Sequence, residues 1–196
     1  CDSCHNCMTS KNIPRKQKSP MTIRDPAPAP FQSICIDAVG PLPKAGIQEY
    51  QHIHVIVDFY SKYVTAFPTK STDSESAIQG FNASFIDIHG PPQLCQSDNG
   101  TCYTSKAWKD NCSKNNIKPV YTSPYRPKSN GQVERLNKTI GTALRAYASK
   151  SPKLWHLFLP KIIFAINSTE NTSTGYSPYF LIHGRHPRSI IDNAMN

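Results

Sequence analysis

The chain has 196 residues, 38% of them hydrophobic, with 22 Lys+Arg against 13 Asp+Glu and a net charge of +9. That is apolar material for one ordinary domain with short extensions, and the cationic excess favours a polyanionic partner because each neutralised phosphate releases counterions. No stretch reaches the roughly 18 apolar residues of a membrane span, and Cys1-Asp2-Ser3-Cys4 is not the start of a signal peptide.

Residues 1–11 hold a cysteine cluster. A basic, proline-rich linker follows over 12–30, through Pro14-Arg15-Lys16 and Pro26-Ala27-Pro28-Ala29-Pro30, and such a segment is extended and semi-rigid. The core is expected over 31–170, with a C-terminal extension over 171–196. Strands are predicted at 33–38, 52–58 and 63–67, the second rich in β-branched residues. Thr72 or Asp73 caps a helix carrying Ala77, Ile78, Phe81, Phe85 and Ile88 at spacings of 3 and 4, and His89-Gly90-Pro91-Pro92 stops it. A strand at 93–97, a helix at 104–115, a strand at 117–121 and a loop at 122–131 come next. The helix from about 130 to 149 puts Val133, Leu136, Ile140, Leu144 and Tyr147 on one face, with Glu134, Asn137, Lys138, Gly141 and Arg145 beside it. A last helix spans 152–166, Lys161 and the run 162–166 reading as core-helix material. Residues 175–196 read as irregular. This order makes an α/β domain, a mixed sheet flanked by helices.

Seven cysteines, with Cys35 and Cys95 inside apolar runs, suit reduced thiols in a reducing compartment. The six Asn-x-Ser/Thr triplets, at Asn82, Asn99, Asn111, Asn137, Asn167 and Asn171, read as accidents of composition. Without an initiator Met, the chain reads as a fragment or a processed piece.

Three carboxylates carry the chemistry. Asp37 ends the apolar run Ser33-Ile34-Cys35-Ile36, Asp98 ends Leu94-Cys95-Gln96-Ser97, and Glu134 opens a helix 35 intervening residues later. Alone, each has a plain explanation: a strand-end turn cap, an Asp-Asn-Gly turn, a glutamate at the positive end of a helix. Together, two strand-end aspartates and a helix glutamate are what a two-metal phosphoryl-transfer site needs, since Mg²⁺ is a hard cation that takes carboxylate oxygens. Asp58 is a rival carboxylate, better explained as the cap of the turn Phe59-Tyr60-Ser61. There is no Walker loop and no nucleophilic Ser or Cys arrangement.

The flanks of these acids resemble the D,D-35-E catalytic core of integrases from gypsy-like LTR retrotransposons and retroviruses, including the spumavirus type. The similarity lies in Ile36-Asp37-Ala38-Val39-Gly40-Pro41, Gln96-Ser97-Asp98-Asn99-Gly100, Thr122-Ser123-Pro124-Tyr125-Arg126-Pro127-Lys128-Ser129-Asn130-Gly131-Gln132-Val133-Glu134-Arg135 and Gly184-Arg185-His186-Pro187. It implies a ribonuclease H-like fold with a five-stranded mixed sheet and helices on both sides. It also implies 3′-end processing and strand transfer of element DNA into target DNA. Asp37, Asp98 and Glu134 would hold two Mg²⁺ or Mn²⁺ ions, with Asp37 bridging them. The loop before Glu134 would act as a flap hinged at Gly131, with Tyr125, Ser129 and Asn130 near the scissile phosphate. Arg126, Lys128, Arg135, Lys138 and Arg145 would grip phosphates. Cys4-His5-Asn6-Cys7 matches the tail of the zinc module that precedes such cores, so Cys4 and Cys7 would hold Zn²⁺ only with a His pair supplied upstream in a longer chain. The implied partners are DNA and further copies of the chain, in the nucleus or an intracellular virus-like particle. Two rival readings are a domesticated protein that binds nucleic acid or partners without catalysis, and a ribonuclease H-like nuclease.

Overall fold

The computed structural model describes residues 27–122 and 131–188. Five strands form one sheet: β1 (Ser33–Val39), β2 (His52–Asp58), β3 (Val64–Thr69), β4 (Leu94–Ser97) and β5 (Lys118–Tyr121). Their order across the sheet is β3-β2-β1-β4-β5. β1 pairs antiparallel with β2 and parallel with β4, β2 pairs antiparallel with β3, and β4 pairs parallel with β5. This is the expected mixed five-stranded sheet.

Among the described residues, six α-helices of four residues or more cover it. They are α1 (Ser74–Phe81), α2 (Thr101–Thr104), α3 (Lys106–Lys114), α4 (Gly131–Tyr147), α5 (Trp155–Ser168) and α6 (Pro178–His183). Strand alternation sorts the core into two layers. Ile34, Ile36 and Ile56 point to one face, where Phe81, Phe85 and Trp108 of α1, its continuation and α3 pack. Cys35, Val55 and Val57 point to the other, under Val133, Ile140 and Leu144 of α4 and Leu159 and Ile162 of α5. β2 is buried along nearly its whole length, because both of its faces are covered.

Five local expectations need correction. The helix expected over 104–115 runs over Lys106–Lys114, and a separate short helix, Thr101–Thr104, precedes it; Ser105 divides the two, its extended backbone letting its Oγ accept from Trp108 N and cap α3. The first helix runs on through a π turn (Asn82–Ile86) to Asp87–His89, and the shifted phase leaves Ile88 66% exposed. Tyr147, at the end of α4, is 64% exposed rather than part of its apolar face, and Lys161 is exposed beside buried Ile162. Residues 178–183 are helical where irregular chain was expected. The signals were there: Ser177 Oγ accepts from Phe180 N, Pro178 opens the helix, and Gly184 closes it at φ 66°.

Candidate active site

The parallel pairing of β1 with β4 sets the site. Ser33 lies opposite Leu94, Ile34 opposite Cys95 and Cys35 opposite Gln96. The same register carried two residues further brings Asp37 level with Asp98, on neighbouring strands about 4.8 Å apart. β4 ends at Ser97 while β1 runs on against β2 to Val39, so the two carboxylates share the β1–β4 end of the sheet.

Each carboxylate is held. Asp37 is half-buried; its Oδ1 accepts from Ala38 N at 2.9 Å and its Oδ2 from Asn137 Nδ2 at 2.8 Å. Asp98 is exposed, and its Oδ1 accepts from Gly100 N at 2.9 Å. A Cβ on Gly100 would sit 2.9 Å from that same oxygen, so a larger residue there would push the Asp98 carboxylate aside. The two charges also meet in one field. Burial pushes the Cys102 thiol up to about 11, and the Asp98 and Asp37 carboxylates push it the same way.

α4 supplies the third side. Val133, Ile140 and Leu144 anchor it to the sheet. At about 100° per residue, Asn137 lies on the flank of that apolar stripe nearer position 134, and positions 134 and 137 are neighbours one turn apart. The Asn137–Asp37 bond therefore ties the turn that carries Glu134 to the first aspartate. The side chains of Gly131, Gln132 and Glu134 lie outside the described residues, as does the segment 123–130 with Tyr125, Arg126, Lys128, Ser129 and Asn130. Cys4 and Cys7 lie outside them too. Among the described residues no group of three His, Cys, Asp or Glu gathers to hold a metal, so the pair Asp37–Asp98 is what the structure brings together.

Of the predicted phosphate-gripping cations on α4, Lys138 and Arg145 fall on the same exposed face as position 134, and Arg145 donates to Thr142 Oγ1 at 3.0 Å. Arg135 is turned about 100° away, toward a groove against α5. Asp58 is structural. Its Oδ1 accepts from Phe31 N at 3.0 Å, and its Oδ2 accepts from Ser61 N at 2.8 Å and Ser61 Oγ at 2.6 Å. It is 1% exposed and sits where β2 turns toward β3, and its place opposite Ile34 puts it at the other end of β1 from Asp37.

Two features escaped the sequence reading. Helical spacing put Asn137 beside Glu134, but only the packing of α4 on β1 gives it Asp37 as partner. The other is a buried pair beneath α2: His54 Nδ1 and Tyr103 Oη lie 2.7 Å apart, with the His54 ring stacked on Phe67. Burial holds His54 down to about 4, so it is neutral at physiological pH. Tyr103 belongs to the short helix directly after the Asp98 turn and pins it to the sheet. Alternating residues in β2 gave no sign of which histidine was internal.

A mixed sheet of this order, with aspartates abreast at the ends of adjacent parallel strands and a glutamate-bearing helix tied to the first, defines the ribonuclease H-like class of polynucleotidyl transferase cores. The family model of the integrase core domain matches residues 27–127, and the chain belongs to that family as an integrase catalytic core of the LTR-retrotransposon and retroviral kind. It is 30% identical over 186 residues to the Transposon Tf2-3 polyprotein of Schizosaccharomyces pombe, covering 94% of this chain. It spans 14% of the length of that relative. Among solved structures it is similar to the simian T-cell lymphotropic virus intasome in complex with PP2A regulatory subunit B56 gamma. There the identity is 29% and the TM-score 0.71, covering 95% of this chain and 66% of that one. The HTLV-2 integrase catalytic core domain in complex with magnesium, trimeric form, shares the fold at 23% identity and TM-score 0.62, covering 80% of this chain and 99% of that one.

Proposed function

We propose that this domain is the catalytic core of a metal-dependent DNA integrase that trims element 3′ ends and joins them to target DNA. The observation that carries the reading is the placement of Asp37 and Asp98 abreast, with Asn137 binding the Glu134-bearing helix to Asp37. The donor set fits a hard divalent cation: carboxylate oxygens at the end of the sheet, one half-buried and one exposed. Asp37, Asp98 and Glu134 would hold Mg²⁺ or Mn²⁺. Bound there, a metal pair supplies charge neutralisation for the attacking and leaving oxygens of a phosphodiester.

The chain's own groups do the rest. Asn137 and Ala38 N fix the orientation of the Asp37 carboxylate, and Gly100 N fixes Asp98. Lys138 and Arg145 would hold flanking phosphates, joined by Arg126 and Lys128. In trimming, a water oxygen would bond to phosphorus as the bond from phosphorus to the 3′-oxygen of the retained end breaks, so that the dinucleotide leaves with the phosphate and the end keeps a 3′-hydroxyl. In joining, the freed 3′-hydroxyl takes the water's place and a target 3′-oxygen leaves. Among the described residues no side chain is arranged to be the nucleophile.

Several further readings rest on the same family resemblance. Residues 31–170 would form the functional core, and Cys4 and Cys7 the tail of a zinc module completed upstream. The protein would work as a homo-oligomer on paired DNA ends, in the nucleus or a virus-like particle; the structural relatives include dimeric and trimeric cores. Among the described residues no helix is long and apolar enough to cross a membrane.

The test is a strand-transfer assay on a labelled duplex end, with Mg²⁺, Mn²⁺ or EDTA. Metal-dependent trimming and joined products support the reading. DNA binding without either would mark a non-catalytic binder, and cleavage of an RNA–DNA hybrid without joining would mark a nuclease.

A further inference from the structure

The Asp98 carboxylate takes its orientation from Gly100 N, 2.9 Å from Oδ1. Whatever seats Gly100 therefore seats that carboxylate. Gly100 opens α2, and its carbonyl accepts from Tyr103 N at 3.0 Å, Thr104 N at 3.1 Å and Thr104 Oγ1 at 3.1 Å. α2 has only four residues and no side chain caps its start, so a single turn of local bonds does not hold it in place. Its anchor is Tyr103, which is 1% exposed. The ring stands edge-on to Trp108, 5.1 Å between centroids, and Oη lies 2.7 Å from His54 Nδ1. From β5, Tyr121 Oη donates to the Tyr103 carbonyl at 3.1 Å. His54 sits on β2 opposite Ala38, one step from Val55, the residue opposite Asp37. The His54–Tyr103 bond thus joins the strand that supports the first aspartate to the helix that supports the second.

We propose that Tyr103, held by His54, is a positioning residue for the metal site: its buried hydroxyl seats α2, α2 seats Gly100, and Gly100 N aims the Asp98 carboxylate at the place a cation shared with Asp37 would take. The inference rests on the reading of Asp37 and Asp98 as metal ligands. Tyr103 acts only through Gly100. Apolar side chains would fill the same space more cheaply, because His54 Nε2 is buried without a hydrogen-bond partner among the described residues. What the polar pair adds is direction. The His54 ring is fixed by stacking on Phe67, 5.0 Å between centroids, so a bond to Nδ1 sets how deep the Tyr103 ring sits. Burial, joined by the fields of neighbours that include Asp37 and Asp98, pushes the Tyr103 hydroxyl well above its ordinary range. The hydroxyl therefore keeps its proton and the bond persists at neutral pH.

The experiment titrates the full chain with Mn²⁺, read by electron paramagnetic resonance at a temperature where every variant compared is folded. Amide hydrogen exchange at Tyr103 and Thr104 in metal-free protein reports the seating of α2 separately. Tyr103→Phe keeps the ring and removes the hydroxyl. His54→Leu removes the partner, whereas His54→Asn offers a polar atom where histidine has Nδ1. Ile117→Val removes a buried methyl elsewhere in the same core layer and controls for plain destabilisation. Asp98→Asn controls for the site itself. Tyr103→Phe and His54→Leu should each weaken Mn²⁺ binding about tenfold and speed exchange at both amides. His54→Asn should stay within about threefold of wild type, and Ile117→Val within about twofold. If Tyr103→Phe does not fold, His54→Leu against His54→Asn makes the same comparison. Faster exchange with unchanged Mn²⁺ affinity would make the pair purely structural and overturn the proposal. So would an equal loss in Ile117→Val, or a His54→Asn protein as weak as His54→Leu. Wild-type binding no tighter than that of Asp98→Asn would instead remove the metal-site reading, and this inference with it.

Discussion

Asn137→Ala separates orientation of the site from stability of the fold. The amide lost donates 2.8 Å to a half-buried carboxylate, and hydrogen bonds to charged groups contribute about 1.5–3 kcal/mol. The same amide presents a buried Oδ1 with no hydrogen-bond partner among the described residues, a desolvated acceptor costing about 1–3 kcal/mol. Alanine removes both, so the two terms offset and the melting temperature should move little. Asp37, however, loses the contact from Asn137 that orients Oδ2. Groups that orient metal ligands typically change affinity by about 10–100-fold, or about 1.4–2.7 kcal/mol, which matches the hydrogen bond lost. Titration of free Mn²⁺ by electron paramagnetic resonance reads this directly, with Lys138→Ala on the same helix as control. A dissociation constant within twofold of wild type in a folded Asn137→Ala protein would refute the claim that this bond organises the site.

Asp37→Asn and Asp98→Asn should each abolish trimming and joining with the thermal melt preserved, because a neutral amide stands where a cation needs negative charge; activity from either variant removes that residue from the site. Asp58→Asn should do the reverse: it weakens three hydrogen bonds at a buried turn and lowers stability by about 2–3 kcal/mol, with metal-dependent activity retained in the folded fraction. Denaturant titration and the strand-transfer assay together check both halves. His54 has a folded pKa of about 4 against an ordinary 6.5, so its contribution is complete above pH 6.5 and is lost as pH falls to 4, about 3 kcal/mol in all. His54→Gln should flatten that part of the stability–pH curve, and an unchanged curve would mean that His54 is not neutral in the fold. If about four cations around the Glu helix contact phosphates, log K for DNA should fall against log salt with a slope near −3.5; Arg126→Ala with Lys128→Ala should flatten it by about two. An unchanged slope would move the DNA path elsewhere.

The sequence by itself determined the element order, the sheet class and the family. These are local properties. Apolar alternation marks strands, a spacing of 3 and 4 marks helices, and glycine and proline mark where each stops. The blocks around Asp37, Asp98 and Glu134 are contiguous in the chain, so they were legible without any contact map. It also separated Asp58 from the site, since a hairpin turn explains that residue locally. The break at Ser105 and the helix over 178–183 carried capping signals that periodicity alone does not weigh.

Tertiary structure decided what depends on register and helix rotation. One residue of slip between β1 and β4 would send Asp37 and Asp98 to different levels, and nothing in either strand alone fixes that pairing. The rotation of α4, set by Val133, Ile140 and Leu144 against the sheet, turns Asn137 onto Asp37, Lys138 and Arg145 onto the exposed acid face, and Arg135 into the groove. In the sequence these cations are alike. His54 and His52 are likewise two similar residues on one strand, and only the stacking of α2 on the sheet makes His54 the buried neutral partner of Tyr103. Such choices are made between elements distant in the chain, where packing rather than local pattern sets the free energy.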